Sequence, residues 1–184
     1  MKRLERWLFA MGLTLLTFWV GESLQSVVVS HAAVAQFAVQ EATGVPNPDA
    51  PLAVLRIPKI QLEVPVFDGT DAATLDHGAG RIAGTAQVGG GGNVGIAAHR
   101  DRFFRGLKDV VPGDPIELAR PGQTDRYIID WIRVVRPTDV FVLEPTPGPA
   151  VTLVTCFPFY FIGSAPQRYI VRASLQFQMI TKRR

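Results

Sequence analysis

Cys156 is the only cysteine of this 184-residue chain, and it lies in the stretch VTLVTCFPFY at residues 151–160. In an alternating strand, Thr152, Val154 and Cys156 share one face, and Pro158 interrupts regular pairing soon afterwards. The thiol is therefore expected at the end of a strand, where a barrel presents side chains to a ligand. It is a candidate nucleophile, although cysteine is more often a small buried hydrophobic residue.

A nucleophilic thiol needs a base or an imidazolium as its partner, and the region after residue 51 offers two histidines. His99 ends the strand-like stretch NVGIAAH, so strands that end at the same rim would bring it close to Cys156. His77 lies in the polar stretch TLDHGAG, which is typical of a turn. Arg168 opens the last strand-like segment, and its permanent charge suits it to hold an oxyanion. Taken alone, each of these three residues is more typical of an ordinary surface side chain.

The composition excludes several kinds of site. The basic side chains concentrate at the two ends of the chain, whereas residues 52–181 carry 13 Lys and Arg against 12 Asp and Glu. No basic stripe is interleaved with aromatic residues, so nucleic acid is not an expected partner. One cysteine allows neither an intramolecular disulfide nor a multi-thiolate metal site. We expect no metal and no cofactor, and the sequence has no acidic loop dense enough to predict calcium.

The N-terminal segment precedes the elements that must position these residues. An apolar run from Trp7 to Val20 follows three basic residues, and a helix continuing to Val29 would approach the length of a membrane span. We interpret residues 1–29 as an uncleaved, single-pass signal anchor, with a cleaved signal peptide as the alternative. Both interpretations place the rest of the chain outside the cytoplasm, at the cell membrane in the first case.

Residues 30–51 are predicted to form the end of a stalk helix and a linker. The stalk pattern places Leu24, Val27/Val28, His31 and Val34/Ala35 on one helix face. The stretch TGVPNPDAP then breaks the helix. A domain at residues 52–178 follows, and residues 179–184 form a basic tail.

The domain pattern predicts an all-β fold, a small eight-stranded barrel or sandwich. Short helices are expected near residues 71–76 and 102–107, and Pro58 and Pro65 suggest that the early strands lie at sheet edges. The predicted strands are LAVLRI (52–57), QLEVPVF (61–67), RIAGTA (81–86), NVGIAAH (93–99), DPIELA (114–119), RYIIDWIRVVR (126–136), VTLVTC (151–156) and RYIVRASLQF (168–177).

These segments resemble sortases, the membrane-anchored cysteine transpeptidases of bacterial surfaces. TLVTC, with Arg168 after eleven intervening residues, resembles the sortase active-site signature. LRIPKIQLEVPVFDG resembles the first sortase strands, and GTAQVGGGGNVGIAAHRDRFFRGLKDVVPGDPIEL resembles the histidine segment. The resemblance covers most of residues 52–175, and TCFPFYFIGSAPQRYIVRA is most similar to the class D branch.

The resemblance implies an eight-stranded β-barrel with short helices, preceded by an N-terminal transmembrane and stalk helix. It also implies three roles: Cys156 as the nucleophile, His99 as the acid/base, and Arg168 as the group that stabilises the substrate carbonyl and oxyanion.

Two further residues, Thr155 and Ala98, are expected to contact the substrate. Ala98 stands where many sortases have glycine, and Arg81 stands where many have histidine or another residue.

The implied reaction is cleavage of a C-terminal LPXTG-like sorting motif through a thioacyl-enzyme. The partners would be secreted proteins that carry such a signal and an amine acceptor, either a cell-wall precursor or a pilin lysine. Two alternatives remain open: a cysteine hydrolase that uses water at the same residues, and a membrane-tethered β-domain in which Cys156 is structural.

Overall fold

The computed structural model describes residues 2–43, 50–160 and 163–176. Within these ranges a long helix precedes a closed barrel of eight strands, and short helices lie in the connections. The helices are α1 (Lys2–Thr43) and α2 (Ala72–His77), with 3-10 helices at Pro58–Ile60, Phe103–Asp109 and Val140–Leu143. The strands are β1 (Ala53–Ile57), β2 (Leu62–Asp68), β3 (Ala79–Arg81), β4 (Asn93–Ala97), β5 (Pro115–Arg120), β6 (Gln123–Val135), β7 (Ala150–Phe157) and β8 (Gln167–Leu175).

The strand order around the barrel is β1-β2-β3-β4-β7-β8-β6-β5, and β5 closes the sheet by pairing with β1. The strand with Cys156, β7, lies between β4 and β8. It runs parallel to β4 and antiparallel to β8. The predicted eight-stranded barrel is therefore confirmed, and its order places β4 beside β7, although the two strands are far apart in the chain.

Alternating apolar residues fill the barrel. Leu55, Leu118, Ile96, Leu153 and Val171 are all fully buried, and they belong to one cluster that spans the interior. Full burial of each such side chain contributes roughly 1.5–3 kcal/mol. This core fixes which face of β4, β7 and β8 points inward, and therefore which side chains remain on the outside.

Strand β3 differs from its prediction. It covers only Ala79–Arg81, and residues 82–86 turn away instead of continuing the strand. A Cβ at Gly80 would collide with the carbonyl oxygen of Gly69, so glycine allows the close approach of β3 to the end of β2.

The prediction that the early strands are edges is wrong, because the barrel is closed. Pro65 pairs with Val54 of β1, whereas β3 pairs with β2 only from Val66 onward. The missing N–H of Pro65 therefore interrupts no pairing with β3. Pro58 lies outside β1 and begins the following 3-10 helix.

The packed face of α1 agrees with its prediction at Val34, which packs beside Phe37, and differs elsewhere. Ser30, Ala33 and Phe37 are buried, whereas His31 is exposed. Phe37 packs with Val54 and Ala119, which lie on β1 and β5. The C-terminal part of α1 therefore lies against the outside of the barrel along a face set by Phe37.

The expected transmembrane helix is not found. Across the described residues, no helix combines the length and the apolar character that a membrane crossing requires. The apolar run of α1 ends at Val20, and Gly21 and Glu22 follow it. The expected basic tail at residues 179–184 and most of the linker lie outside the described residues.

Candidate active site

Neighbouring strands bring together the three residues expected to act in catalysis. Cys156 pairs directly with Arg168 across β7 and β8. On the other side of β7, Ala97 pairs with Val154, and the N–H of Ala98 donates to the Val154 carbonyl at 3.3 Å. Continuing this register places His99 beside Cys156. The site is therefore ordered His99–Cys156–Arg168 across three adjacent strand ends.

All three side chains lie on the outer side of the sheet. Val151, Leu153 and Thr155 of β7 face the core, so Cys156 points the other way. A cavity of about 350 Å³ opens there. It is lined by His99, Arg100, Asp101, Cys156, Gly163, Ser164, Ala165 and Arg168. The cavity is thus bounded by the segment after β4 and by the β7–β8 loop.

Aromatic residues close the end of the barrel next to the nucleophile candidate. Phe157 and Phe159 meet edge to face at 5.8 Å between ring centroids, and Tyr169 lies 5.1 Å from Phe159. Phe159 and Tyr169 pack against the main core, and burial followed by the charge of Asp109 raises the pKa of Tyr169. These three rings cap the barrel, whereas the neighbouring Tyr160 is exposed.

Thr155 and Ala98, the residues expected to contact substrate, lie behind the cavity. Both side chains are buried, at 2% and 5% exposure, and neither lines the cavity. The Thr155 hydroxyl donates to the Ala98 carbonyl at 2.7 Å. This bond ties β7 to the end of β4 directly behind His99 and Cys156.

Arg81, the second departure from the sortase pattern, is also structural. Its Nε donates to Asp68 Oδ1 at 2.9 Å, and its Nη1 donates to the Thr85 carbonyl at 3.1 Å. The side chain is buried, and its bond to Thr85 holds the turn that follows β3, while the ion pair with Asp68 holds the end of β2.

The backbone and the ring of His99 have separate partners. The His99 carbonyl accepts from the N–H of Phe104 at 3.1 Å, so the 3-10 helix that begins at Phe103 holds the chain there. The imidazole Nε2 lies 3.9 Å from Oδ1 of Asp76. Asp76 lies on α2, and nothing in its sequence position marks it as a neighbour of His99.

His77, the alternative histidine, also lies on α2. It lines two cavities between α2 and α1, and it does not line the cavity that contains Cys156. His99 is therefore the histidine that the barrel brings to the thiol.

Arg168 is held by the loop that precedes it. Its Nη1 donates to the carbonyls of Ala165 at 3.2 Å and Gln167 at 3.0 Å. Among the described residues, Nε and Nη2 of Arg168 have no hydrogen-bond partner. Arg100 also contacts this loop, because its Nη2 donates to the Gly163 carbonyl at 3.0 Å.

The described part of the chain contains no group of three His, Cys, Asp or Glu side chains that could hold a metal ion.

The fold and this cavity define a closed β-barrel with a thiol and a guanidinium on two adjacent strands and an imidazole just beyond the end of a third. A family model of the Sortase domain matches residues 55–176. The chain therefore belongs to the sortase family, whose members are cysteine transpeptidases.

Curated relatives include enzymes of more than one sortase class. The chain is 32% identical over 119 residues to Sortase D of Bacillus subtilis (strain 168). This match covers 64% of this chain and 60% of that protein. It is also 32% identical over 132 residues to Sortase A of Streptococcus agalactiae. That match covers 66% of this chain and 51% of that protein. The chain thus spans between half and two thirds of the length of these relatives.

Solved structures agree with the sequence comparison. A Sortase D5 transpeptidase of Clostridium perfringens superposes with a TM-score of 0.71 at 25% identity, covering 82% of this chain and 99% of that chain. A lid mutant of Sortase A from Corynebacterium diphtheriae superposes with a TM-score of 0.65 at 31% identity, covering 81% of each chain. The predicted family is confirmed, and sortases of class D are among the similar proteins.

Proposed function

We propose that this protein is a cysteine transpeptidase that cleaves a C-terminal LPXTG-like sorting motif and joins the new carboxyl end to an amine. The observation that carries the proposal is the shared cavity of Cys156, His99 and Arg168. Membership of the sortase family supports the reaction type. The sorting motif and the amine acceptor rest on the family resemblance.

In the first step the sulfur of Cys156 attacks a peptide carbonyl carbon and forms a C–S bond. The thiol proton passes to His99, which gives it to the leaving amine as the C–N bond breaks. The products are a thioacyl-enzyme and the released C-terminal fragment, and His99 is neutral again.

In the second step an amine attacks the thioester carbonyl. His99 takes the proton from the attacking nitrogen and returns it to the sulfur as the C–S bond breaks. The new amide bond joins substrate to acceptor. The two steps as written need no oxidant, metal or nucleotide.

Arg168 acts on the carbonyl oxygen in both steps. Nη1 is occupied by the carbonyls of Ala165 and Gln167, which fixes the guanidinium plane. The Nε and Nη2 groups supply the donors for the developing oxyanion. A donor that is positioned beforehand needs no reorganisation when the charge forms.

The proposed partners are secreted proteins with a C-terminal sorting signal and an amine acceptor, either a cell-wall precursor or a pilin lysine. We place the barrel outside the cytoplasm, at the cell membrane. Basic residues precede the apolar run of α1, and the large apolar side chains of Trp7, Phe9 and Phe18 are exposed. Protease treatment of intact cells tests this location, because digestion of the barrel requires that it lie outside the membrane.

A cysteine hydrolase is the second candidate. The His99 side chain is 40% exposed, so water can reach the acid/base candidate without any movement of the barrel. Water would then take the place of the amine in the second step and release a free acid.

Product analysis separates these reactions. The full-length protein is incubated with a panel of LPXTG-like peptides and a mixture of primary amines, and the products are measured by liquid chromatography and mass spectrometry. A peptide–amine product that is lost in Cys156→Ala supports the transpeptidase. Free acid alone, at saturating amine, favours the hydrolase. Equal product from wild type and Cys156→Ala would refute both, and no cleavage of any peptide would count against the motif class.

A further inference from the structure

The imidazole of His99 has a carboxylate on one edge. Its Nε2 lies 3.9 Å from Oδ1 of Asp76, and the two side chains are 40% and 49% exposed. This distance is too long for a hydrogen bond, but it is short enough for an ion pair, and contacts of this kind often tighten when substrate binds. We infer that Asp76 is a positioning residue that holds His99 through Nε2 and leaves Nδ1 to exchange protons with Cys156 and the leaving amine.

The contact between Asp76 and His99 affects which nitrogen of the imidazole carries the proton. The partner of one ring nitrogen decides which nitrogen carries the proton in the neutral ring. A carboxylate beside Nε2 favours the proton on that atom. Nδ1 on the other edge then has the lone pair that accepts the thiol proton. The inference rests on the proposed function, in which His99 performs that exchange.

The fold fixes Asp76 from both ends of α2. At the start of the helix, Asp71 accepts from the Thr74 N–H at 3.0 Å and from the Thr74 hydroxyl at 2.7 Å. At its end, a Cβ on Gly78 would lie 2.6 Å from the Pro65 carbonyl oxygen, so only glycine allows this approach to β2. The carboxylate is thus carried by a helix whose two ends are held.

Arg102 holds the carboxylate itself. Its Nη1 lies 3.2 Å from Oδ1 of Asp76 and also donates to the Asp76 backbone carbonyl at 3.2 Å. Arg102 directly precedes the 3-10 helix whose Phe104 N–H donates to the His99 carbonyl. One short segment therefore holds both the His99 backbone and the Asp76 side chain.

The charged groups near His99 come from three elements. Asp76 lies on α2, Arg102 precedes the 3-10 helix, and Arg168 lies on β8 across the cavity. Arg100 and Asp101 also line the cavity, next to His99 in the chain. Among the described residues, Asp76 is the carboxylate within 4 Å of the imidazole. The pair with Arg102 makes a purely structural role for Asp76 the rival explanation.

Kinetics with four full-length variants separate the two roles. Asp76→Asn removes the charge, Asp76→Glu retains it, and Arg102→Gln removes the guanidinium that holds the carboxylate. Glu63→Gln is the matched control, because Glu63 is 48% exposed and pairs with Arg56 at 2.7 Å, outside the cavity.

We expect Asp76→Asn to lower kcat for thioacyl formation about two- to fivefold, the scale of one half-exposed charge pair at this distance. KM should change less than twofold, because Asp76 does not line the cavity. Asp76→Glu should recover most of the loss, and Glu63→Gln should match wild type. Arg102→Gln should lose less kcat than Asp76→Asn, because it keeps the carboxylate. If Asp76→Asn keeps wild-type kcat, or if Asp76→Glu loses as much kcat as Asp76→Asn, the inference fails.

A spectroscopic measurement tests the same point without any substrate. The 15N shifts of the His99 ring nitrogens report which nitrogen carries the proton. We expect the Nε2–H form in wild type, and a shift toward the Nδ1–H form in Asp76→Asn. Unchanged ring shifts in Asp76→Asn would overturn the inference. Because this readout needs no turnover, it distinguishes failure of the inference from failure of the proposed function.

Discussion

Cys156 and Arg168 lie directly opposite each other in one antiparallel cross-strand pair of β7 and β8. Residues in such a pair project from the same face, with Cβ atoms about 4.5–5.5 Å apart. Sheet register therefore places the backbones of the proposed nucleophile and the proposed oxyanion donor, and the carbonyls of Ala165 and Gln167 hold the guanidinium. His99 lies just beyond the end of β4, the other neighbour of β7.

Replacement of Arg168 tests the oxyanion role. Arg168→Met should lower kcat by roughly 10²–10³, the cost of one lost oxyanion donor. Arg168→Lys should recover only part of this, because an ammonium keeps the charge but lacks the planar set of donors. Arg136→Lys, at an exposed ion pair with Asp139, is the control and should match wild type. Peptide cleavage by Arg168→Met within threefold of wild type would contradict the role.

Comparison of two histidine variants tests the acid/base assignment. His99→Ala should lower kcat by about 10²–10⁴, the usual contribution of a positioned acid/base. His77→Ala should stay within twofold of wild type, because His77 does not line the cavity with Cys156. Steady-state kinetics on one cleaved peptide, with circular dichroism as the folding control, measure both. Loss of activity in His77→Ala but not in His99→Ala would reverse the assignment.

Thr155→Val tests whether Thr155 ties strands together or contacts substrate. The variant keeps the side-chain shape but leaves the buried Ala98 carbonyl without its donor. We expect the free energy of unfolding to fall by about 1–3 kcal/mol in urea titrations, with KM unchanged. Thr124→Val, at an exposed site on β6, is the control. Unchanged stability together with a raised KM would instead indicate a substrate contact.

The buried side chain of Tyr127 should make the barrel less stable at alkaline pH. Burial raises the pKa of Tyr127 to about 12, with the charge of Asp125 adding to the effect and Arg120 opposing it. The folded state thus holds this proton more tightly than the unfolded chain, where tyrosine titrates near pH 10. The contribution is fully present below pH 10 and is lost as the pH rises toward 12.

Tyr127→Phe removes this titration. Between pH 10 and 12, wild type should lose on the order of 2 kcal/mol of unfolding free energy relative to the variant. Urea titrations of both proteins at pH 9, 10, 11 and 12 measure the difference. Parallel pH curves for the two proteins would show that Tyr127 is not responsible.

The strands were predictable where a short β-branched run is bounded by turn residues. In β7 the run from Val151 to Thr155 marks the strand, and its predicted and observed bounds differ by one residue at each end. Strand β3 was not predictable in this way, because its position depends on the close approach of Gly80 to Gly69. That approach is a tertiary contact with no local pattern.

The residues of the candidate site could be predicted from the sequence, but the residues that contact them could not. Cys156 and His99 could be selected from residue type and strand position, and the family resemblance joined them to Arg168. Asp76 could not be selected in this way, because its place beside His99 depends on how α2 packs against the segment after β4. The inward position of Thr155 follows from strand alternation only once the core face is known.

The central claim is that Cys156 carries the acyl group of a cleaved peptide. The most direct measurement is peptide mapping by tandem mass spectrometry of full-length protein that has been quenched in acid during turnover of a cleaved LPXTG-like peptide. We predict a mass increase equal to the acyl fragment, located on Cys156, absent from Cys156→Ala, and removed by hydroxylamine as a thioester should be. Cleavage by wild type with no acyl group on Cys156, or undiminished cleavage by Cys156→Ala, would contradict it.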